Sequence, residues 1–189
     1  MAQRYDEISD KLKSFINEQK IFFVATAGAQ GWVNLSPKGM DSLRVLNDKR
    51  VVWLNVTGSG NETAAHVLEN ERMTLMFCSF EGNPLILRIY GQAKVVHAYD
   101  EAWDELIGHF PAIPGARQVF DLSVDLVQTS CGMAVPFFDY VAEREQLNAW
   151  AEKRAENIED YWREKNQWSL DGKPTQVLSV KTAILAIFR

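Results

Sequence analysis

Between Ile21 and Cys131 the chain is a train of short β-favouring runs separated by small polar turns, and that rhythm most restricts what it can fold into. IFFVATA (21–27) passes through AGAQG into WVNLS (32–36), and RVLN turns at Asn47-Asp48 into RVVWLNV. MTLMFCSF (73–80) then turns across EGN into PLILRIYGQAKVV (84–96). Apolar, β-branched runs bounded by Gly, Asn and Asp read as antiparallel hairpins. VFDLSVDLVQTSC (119–131) alternates apolar and polar residues, with Val124, Leu126 and Gln128 on one side, and reads as the last long strand. Helical spacing takes over at Tyr5 to Gln19 (Ile8, Leu12, Phe15, Ile16), at 99–110 (Trp103, Leu106, Ile107, Phe110) and at 138–165 (Leu147, Trp150, Ala151, Ile158, Tyr161, Trp162). The pattern predicts a mainly β protein of about six antiparallel strands, a small barrel with flanking helices. Residues 1–137 are expected to form the barrel and its N-terminal helix, and 138–189 a helical extension and tail packed on the same domain. The ending VLSVKTAILAIFR fits strand and helix equally.

Composition narrows the function classes. Of 189 residues, 47% are hydrophobic, enough for one substantial core. The net charge of −5 is spread among mixed signs, which argues against a nucleic-acid surface. No apolar run approaches a membrane span, and the charged N-terminus lacks the apolar centre of a secretory leader, so a soluble cytoplasmic protein is expected. Cys78 and Cys131 both lie in apolar segments and suggest no disulfide framework. His66, His97 and His109 are too scattered for a metal motif, and no nucleophile–base pair is evident. If the chain is an enzyme, a bound cofactor supplies the reactivity.

Four stretches stand out as candidate sites. In WLNVTGSGNETAAHV (53–67) an apolar run ends in two glycines and small polar residues just before a helix. Thr57, Ser59, Asn61 and Thr63 with the helix start suit an anion, yet a turn capped by Asn61 or Ser59 explains the same residues. Glu62 would have to point away from a phosphate. The Lys of a P-loop is absent, and the neighbouring hairpins disfavour a dinucleotide βαβ unit. In VNLSPKG, Asn34, Ser36 and Lys38 share a parity, although Pro37 threatens the register. Arg88, set among Ile86, Leu87, Ile89 and Tyr90, needs either an acid such as Glu81 or Glu62 or a ligand anion. In LVQTSCGMAVP, a nucleophilic Cys131 is disfavoured because no base stands near it in sequence.

Taken together, VNLSPKG, VVWLNVTGSGNETAAHVLEN, MTLMFCSFEG, LRIYGQA and LVQTSCGMAVP resemble, in order from about Ile21 to Pro136, the pyridoxamine 5′-phosphate oxidase-related FMN-binding split β-barrels. The similarity is strongest to a subfamily carrying SPKG, GSGNETAAH and SCGxAVP almost unchanged. It implies a six-stranded antiparallel split barrel and a homodimer with FMN between the barrels. Leu35, Ser36 and Lys38 match the strand running beside the flavin to its phosphate, and Leu54 and Asn55 match residues lining the ring or ribityl chain. Asn61, Glu62 and Thr63, with Thr57 before them, match the helix start that reads Ser-Arg-Lys in the oxidase and grips the phosphate. Gln128, Ser130, Cys131 and Gly132 match the segment contributed across the dimer.

Two basic residues of that phosphate grip are absent here, so Lys38, Arg88 or the helix N-terminus must replace them. A charge-assisted hydrogen bond contributes about 1.5–3 kcal/mol, and the helix end about 0.3–2 kcal/mol. The resemblance implies an FMN-dependent oxidoreductase acting on a small molecule, with NAD(P)H as a possible electron donor. A non-catalytic flavin-storage protein and a reductase using the deazaflavin F420 remain alternatives. The C-terminal stretch with Trp150, Trp162 and Trp168 does not resemble the oxidase's ending and is expected to cover the cleft.

Overall fold

A computed structural model describes residues 2–179. Eight strands form one antiparallel sheet: β1 (Gln3–Tyr5), β2 (Phe22–Thr26), β3 (Asn34–Lys38), β4 (Leu43–Asn47), β5 (Arg50–Val56), β6 (Arg72–Cys78), β7 (Ile86–His97) and β8 (Ala116–Ser130). Their order is β3-β2-β6-β7-β8-β5-β4, with β1 added alongside β8. The sheet curls but does not close, so β3 and β4 are its two edges. The mainly β class with flanking helices therefore holds, whereas the count of six strands is corrected to eight. The added strand β1 is polar and exposed at all three residues. It is held by backbone pairing to Val127–Thr129, which leaves no apolar alternation to read.

Alternation places one set of side chains inside the curl. Phe22, Val24, Val51, Trp53, Leu75, Phe77, Leu87, Ile89, Phe120 and Leu122 fill it, with Trp53 stacked on Phe120 at 4.5 Å. A second cluster, Val52, Leu54, Val96 and Val119, lies on the other side beneath Leu106 and Phe110. The long strands β7 and β8 bend where the register shifts between Tyr90 and Gly91. There the backbones approach so closely that any Cβ on Gly91 would collide with the Ser123 carbonyl.

The helices are shorter than periodicity predicts. α1 (Asp10–Glu18) starts only where the Ser9 hydroxyl accepts the Leu12 N–H, because Tyr5 is already in β1. α2 (Glu62–Asn70) follows the TGSGN loop, and α3 (Trp103–Ile107) covers the second cluster. The stretch 138–165 is not one helix: α4 (Gln146–Lys153) and α5 (Ile158–Lys165) are separated by a 3-10 turn. Unbroken, it would hold Trp150 and Tyr161 about 16 Å apart along the axis. The break brings their rings to 5.0 Å, with Arg154 over both. Residues 166–179 run on as turns and coil, and VLSVKTAILAIFR lies from 180 onward outside the described residues. Among the described residues no helix is long and apolar enough to cross a membrane.

Candidate functional site

Strand β3 sorts the expected site residues onto two faces. Pro37 does not break the register: it pairs with Phe23, and its missing N–H falls on an edge strand. Lys38, Ser36 and Asn34 pair with Phe22, Val24 and Thr26, so they face inward with the core residues. Leu35 and Pro37 face outward, and Leu35 is 62% exposed. Arg88 lies opposite Gln128 and Met76, between the buried Leu87 and Ile89, and is therefore on the outer face too.

The inner face meets the start of α2. Asn34 Nδ2 donates to Thr63 Oγ1 at 3.1 Å and to Thr26 Oγ1 at 3.3 Å. Lys38 extends over the buried Trp53 ring at 5.4 Å. Burial first, then the charge of Arg117, lowers its pKa to about 8, while Glu62 opposes the shift. Arg117, only 3% exposed, is itself lowered to about 10 by burial, opposed by Tyr161 and Glu62. Among the described residues neither cation has a carboxylate within ion-pair distance. The largely buried Lys38 and Arg117 thus form an electropositive cluster in which Arg117 disfavours the charge on Lys38.

The same elements carry unused donors. Ser36 Oγ and Arg117 Nε are buried without a partner. The N–H groups of Glu62, Thr63 and Ala64, the first turn of α2, have no acceptor among the described residues, although Thr63 and Ala64 are buried. Such groups need an acceptor, and a helix start favours an anionic one.

The TGSGN loop itself is used differently from the expected cradle. Gly58 and Gly60 turn their carbonyls, not their N–H groups, to Arg117, at 3.3 and 2.6 Å. Thr57 donates to the Gly115 carbonyl and accepts the Trp162 indole N–H at 2.9 Å. Asn61 occupies the N-cap position without capping: its Nδ2 donates to the carbonyls of Lys165 and Trp168, and its Oδ1 accepts from Asn166. The side chains of Thr57 and Asn61 are thus occupied by the C-terminal extension, whose buried Asn166 also reaches Gly58. Glu62 curls back, accepting the Asn61 N–H at 3.1 Å and the Leu170 N–H at 3.3 Å.

The other expected positions separate. Leu54 is 1% exposed in the cluster beneath α3, so its side chain is closed to a ligand. Asn55 is buried and donates to Gln118, which in turn contacts His97 at 3.1 Å. Burial lowers the pKa of His97. Arg88 finds neither Glu81 nor Glu62; it donates to Ser130 Oγ at 3.3 Å, beside the Tyr90 to Gln128 hydrogen bond. Gly132 turns with φ +64° against the Leu85 backbone, and Cys131 just before it is exposed. One chain therefore cannot bring Lys38 and Arg88 to one phosphate. Arg117 is the residue that sequence reasoning missed. The argument that singles out Arg88, a charge among apolar strand residues, applies equally to Arg117 ahead of Val119 and Phe120.

A cleft of about 1070 Å³ opens at the Lys38 end of β3 on the outer side, lined by the outward-facing Phe23 and Pro37 with Met40, Phe80, Phe138 and Tyr140. That volume is just above the range of about 300–1,000 Å³ for small-molecule sites. The segment 138–144, which was expected to be helical, is an extended arm along it, with the Phe138 and Phe80 rings 5.3 Å apart.

Comparison with known proteins bears on the fold and the family. The chain is 35% identical over 190 aligned residues to the pyridoxamine 5′-phosphate oxidase family protein ustO of Aspergillus flavus, covering 90% of this chain and 76% of that protein. A point variant of HupZ from Group A Streptococcus superposes with a TM-score of 0.53 at 25% identity, over 65% of this chain and 99% of that one. A candidate pyridoxamine 5′-phosphate oxidase from Lactobacillus delbrueckii shares the fold, with a TM-score of 0.52 at 20% identity over 65% of this chain and 94% of that one. The family model described as pyridoxamine 5′-phosphate oxidase matches residues 8–131, from just before α1 to the residue after β8, and the chain belongs to that family.

Proposed function

We propose that this chain is an FMN-binding oxidoreductase that works as a homodimer on a small molecule. The observation that carries the reading is the cluster of Lys38, Arg117 Nε, Ser36 Oγ and the first N–H groups of α2. Two cations without a carboxylate at ion-pair distance and several unused donors suit a phosphate dianion. The aromatic cleft beside Lys38 would take an apolar ring system. When bound, the flavin supplies the capacity to accept and donate a hydride or electrons. The chain's part is to hold the phosphate, orient the ring and keep water off it. Arg88, Gln128, Ser130 and Leu35 lie on the outer face, where a second subunit would be met. From there Arg88 of the partner subunit would complete a site that one chain leaves open. NADH or NADPH is the proposed electron donor.

The purified protein tests this directly. Flavin absorbance after incubation with FMN, bleached anaerobically by NADH or NADPH, is the expected outcome. Bleaching by dithionite alone would leave a binding or storage role and overturn the catalytic part. Colourless protein after incubation with excess FMN would overturn the whole reading.

A further inference from the structure

Glu62 stands where the family's phosphate grip has a cation, and its carboxylate does not point away. Oε2 accepts the N–H of Asn61 at the head of α2, and Oε1 accepts the N–H of Leu170. Its negative charge favours the protonated forms of both Lys38 and Arg117. In this state it supplies, from a distance, the charge compensation that the cluster otherwise lacks. The residue it ties, Leu170, belongs to a turn that runs along α2. Asn61 holds the Trp168 carbonyl, Lys173 pairs with Glu69, and Asp171 accepts the Trp32 N–H at 3.1 Å beside the buried His66. Glu62 is thus shared between the anion pocket and the C-terminal turn.

We infer that Glu62 is an internal counter-anion that a ligand phosphate must displace, and that its displacement unhooks the Leu170 end of the C-terminal turn. The inference rests on the phosphate site proposed above and assigns that site a built-in competitor. A dianion arriving at Lys38, Arg117 and the first turn of α2 meets a like charge held beside them on the N–H groups of Asn61 and Leu170. In a partly buried pocket that repulsion is poorly screened. The carboxylate swings out, and the Leu170 N–H loses its acceptor. Ligand occupancy is thereby communicated to a turn whose other end is anchored on Glu69.

The test compares wild type with Glu62→Gln, which removes the charge and keeps one of the two acceptor oxygens, and with Glu62→Ala, using FMN, riboflavin and inorganic phosphate. Urea midpoints establish that each variant is folded. FMN and phosphate should bind Glu62→Gln at least about tenfold more tightly than wild type, while riboflavin, lacking the phosphate, should bind both equally. Hydrogen exchange at the Leu170 amide should accelerate when FMN saturates wild type, and should be fast with or without ligand in Glu62→Ala. Equal or weaker phosphate binding by both folded variants, or Leu170 exchange in wild type unmoved by ligand, overturns the inference. If FMN fails to bind while phosphate still distinguishes Glu62→Gln from wild type, the flavin reading falls and the counter-anion stands.

Discussion

Replacing Lys38 with methionine separates what this side chain costs the fold from what it contributes to a ligand. In the folded chain its pKa falls from 10.5 to about 8, chiefly through burial and then through Arg117. The unfolded chain therefore binds more protons between those values, and wild-type stability should rise as the pH increases through that window. At pH 7 the penalty is about 3 kcal/mol, from about 2.5 units at 1.36 kcal/mol each. At pH 9.5 the folded lysine is already largely neutral, and less than half of that penalty remains. Methionine has similar length and no charge to desolvate, but it forfeits the cation over Trp53, an interaction of about 0.5–2 kcal/mol. The flavin-free Lys38→Met protein should thus be more stable than wild type by about 1–3 kcal/mol at pH 7, with a smaller advantage at pH 9.5. Urea unfolding at the two pH values measures it, and FMN titration of the same samples should show affinity lost. A variant less stable than wild type at pH 7, or an advantage that does not change with pH, would refute the claim that Lys38 is held as an uncompensated buried cation.

The same cluster yields further expectations. Lys38 must be protonated to meet a dianion, so FMN affinity should weaken as the pH rises through about 8, and a titration of Lys38→Met should show no such step. Arg117→Ala leaves the Gly60 carbonyl without its donor, while Gly58 keeps that of Asn166, and chemical denaturation should register a loss of about 1–3 kcal/mol for the stranded group together with loss of FMN binding. Trp162→Phe removes the indole N–H from Thr57; a loss of about 1 kcal/mol and faster proteolysis within 158–173 are expected. If Arg88 acts only across a dimer, co-expressed Lys38→Ala and Arg88→Ala chains should form mixed dimers with one competent site, whereas neither homodimer retains flavin.

How far the chain could be read in advance follows from which forces leave a mark in sequence. Hairpins did, because two-residue periodicity and turn chemistry act over a few positions, and β2 to β8 fall where those signals lie. β1 left none, since its partner is more than a hundred residues away and its own side chains are exposed. The break between α4 and α5 was hidden for a related reason: Trp150 and Tyr161 share a helical stripe, and only the ring contact requires a bend. At the site, the parity of Asn34, Ser36 and Lys38 was legible and the register keeps it. What parity within one strand could not convey was that Arg88, on β7, faces the other way, or that Arg117 arrives from the head of β8. The TGSGN loop shows the limit most sharply. Small polar residues before a helix are equally suited to a ligand phosphate and to another segment of the same chain, because both present hydrogen-bonding groups to the same donors and acceptors. Here Thr57 and Asn61 are committed to the C-terminal extension, while the first turn of α2 keeps N–H groups without an acceptor among the described residues. Glu62 touches both sets, through Asn61 and through Leu170. A residue that looked like a flaw in an anion site is therefore the position at which ligand binding and the C-terminal turn must compete.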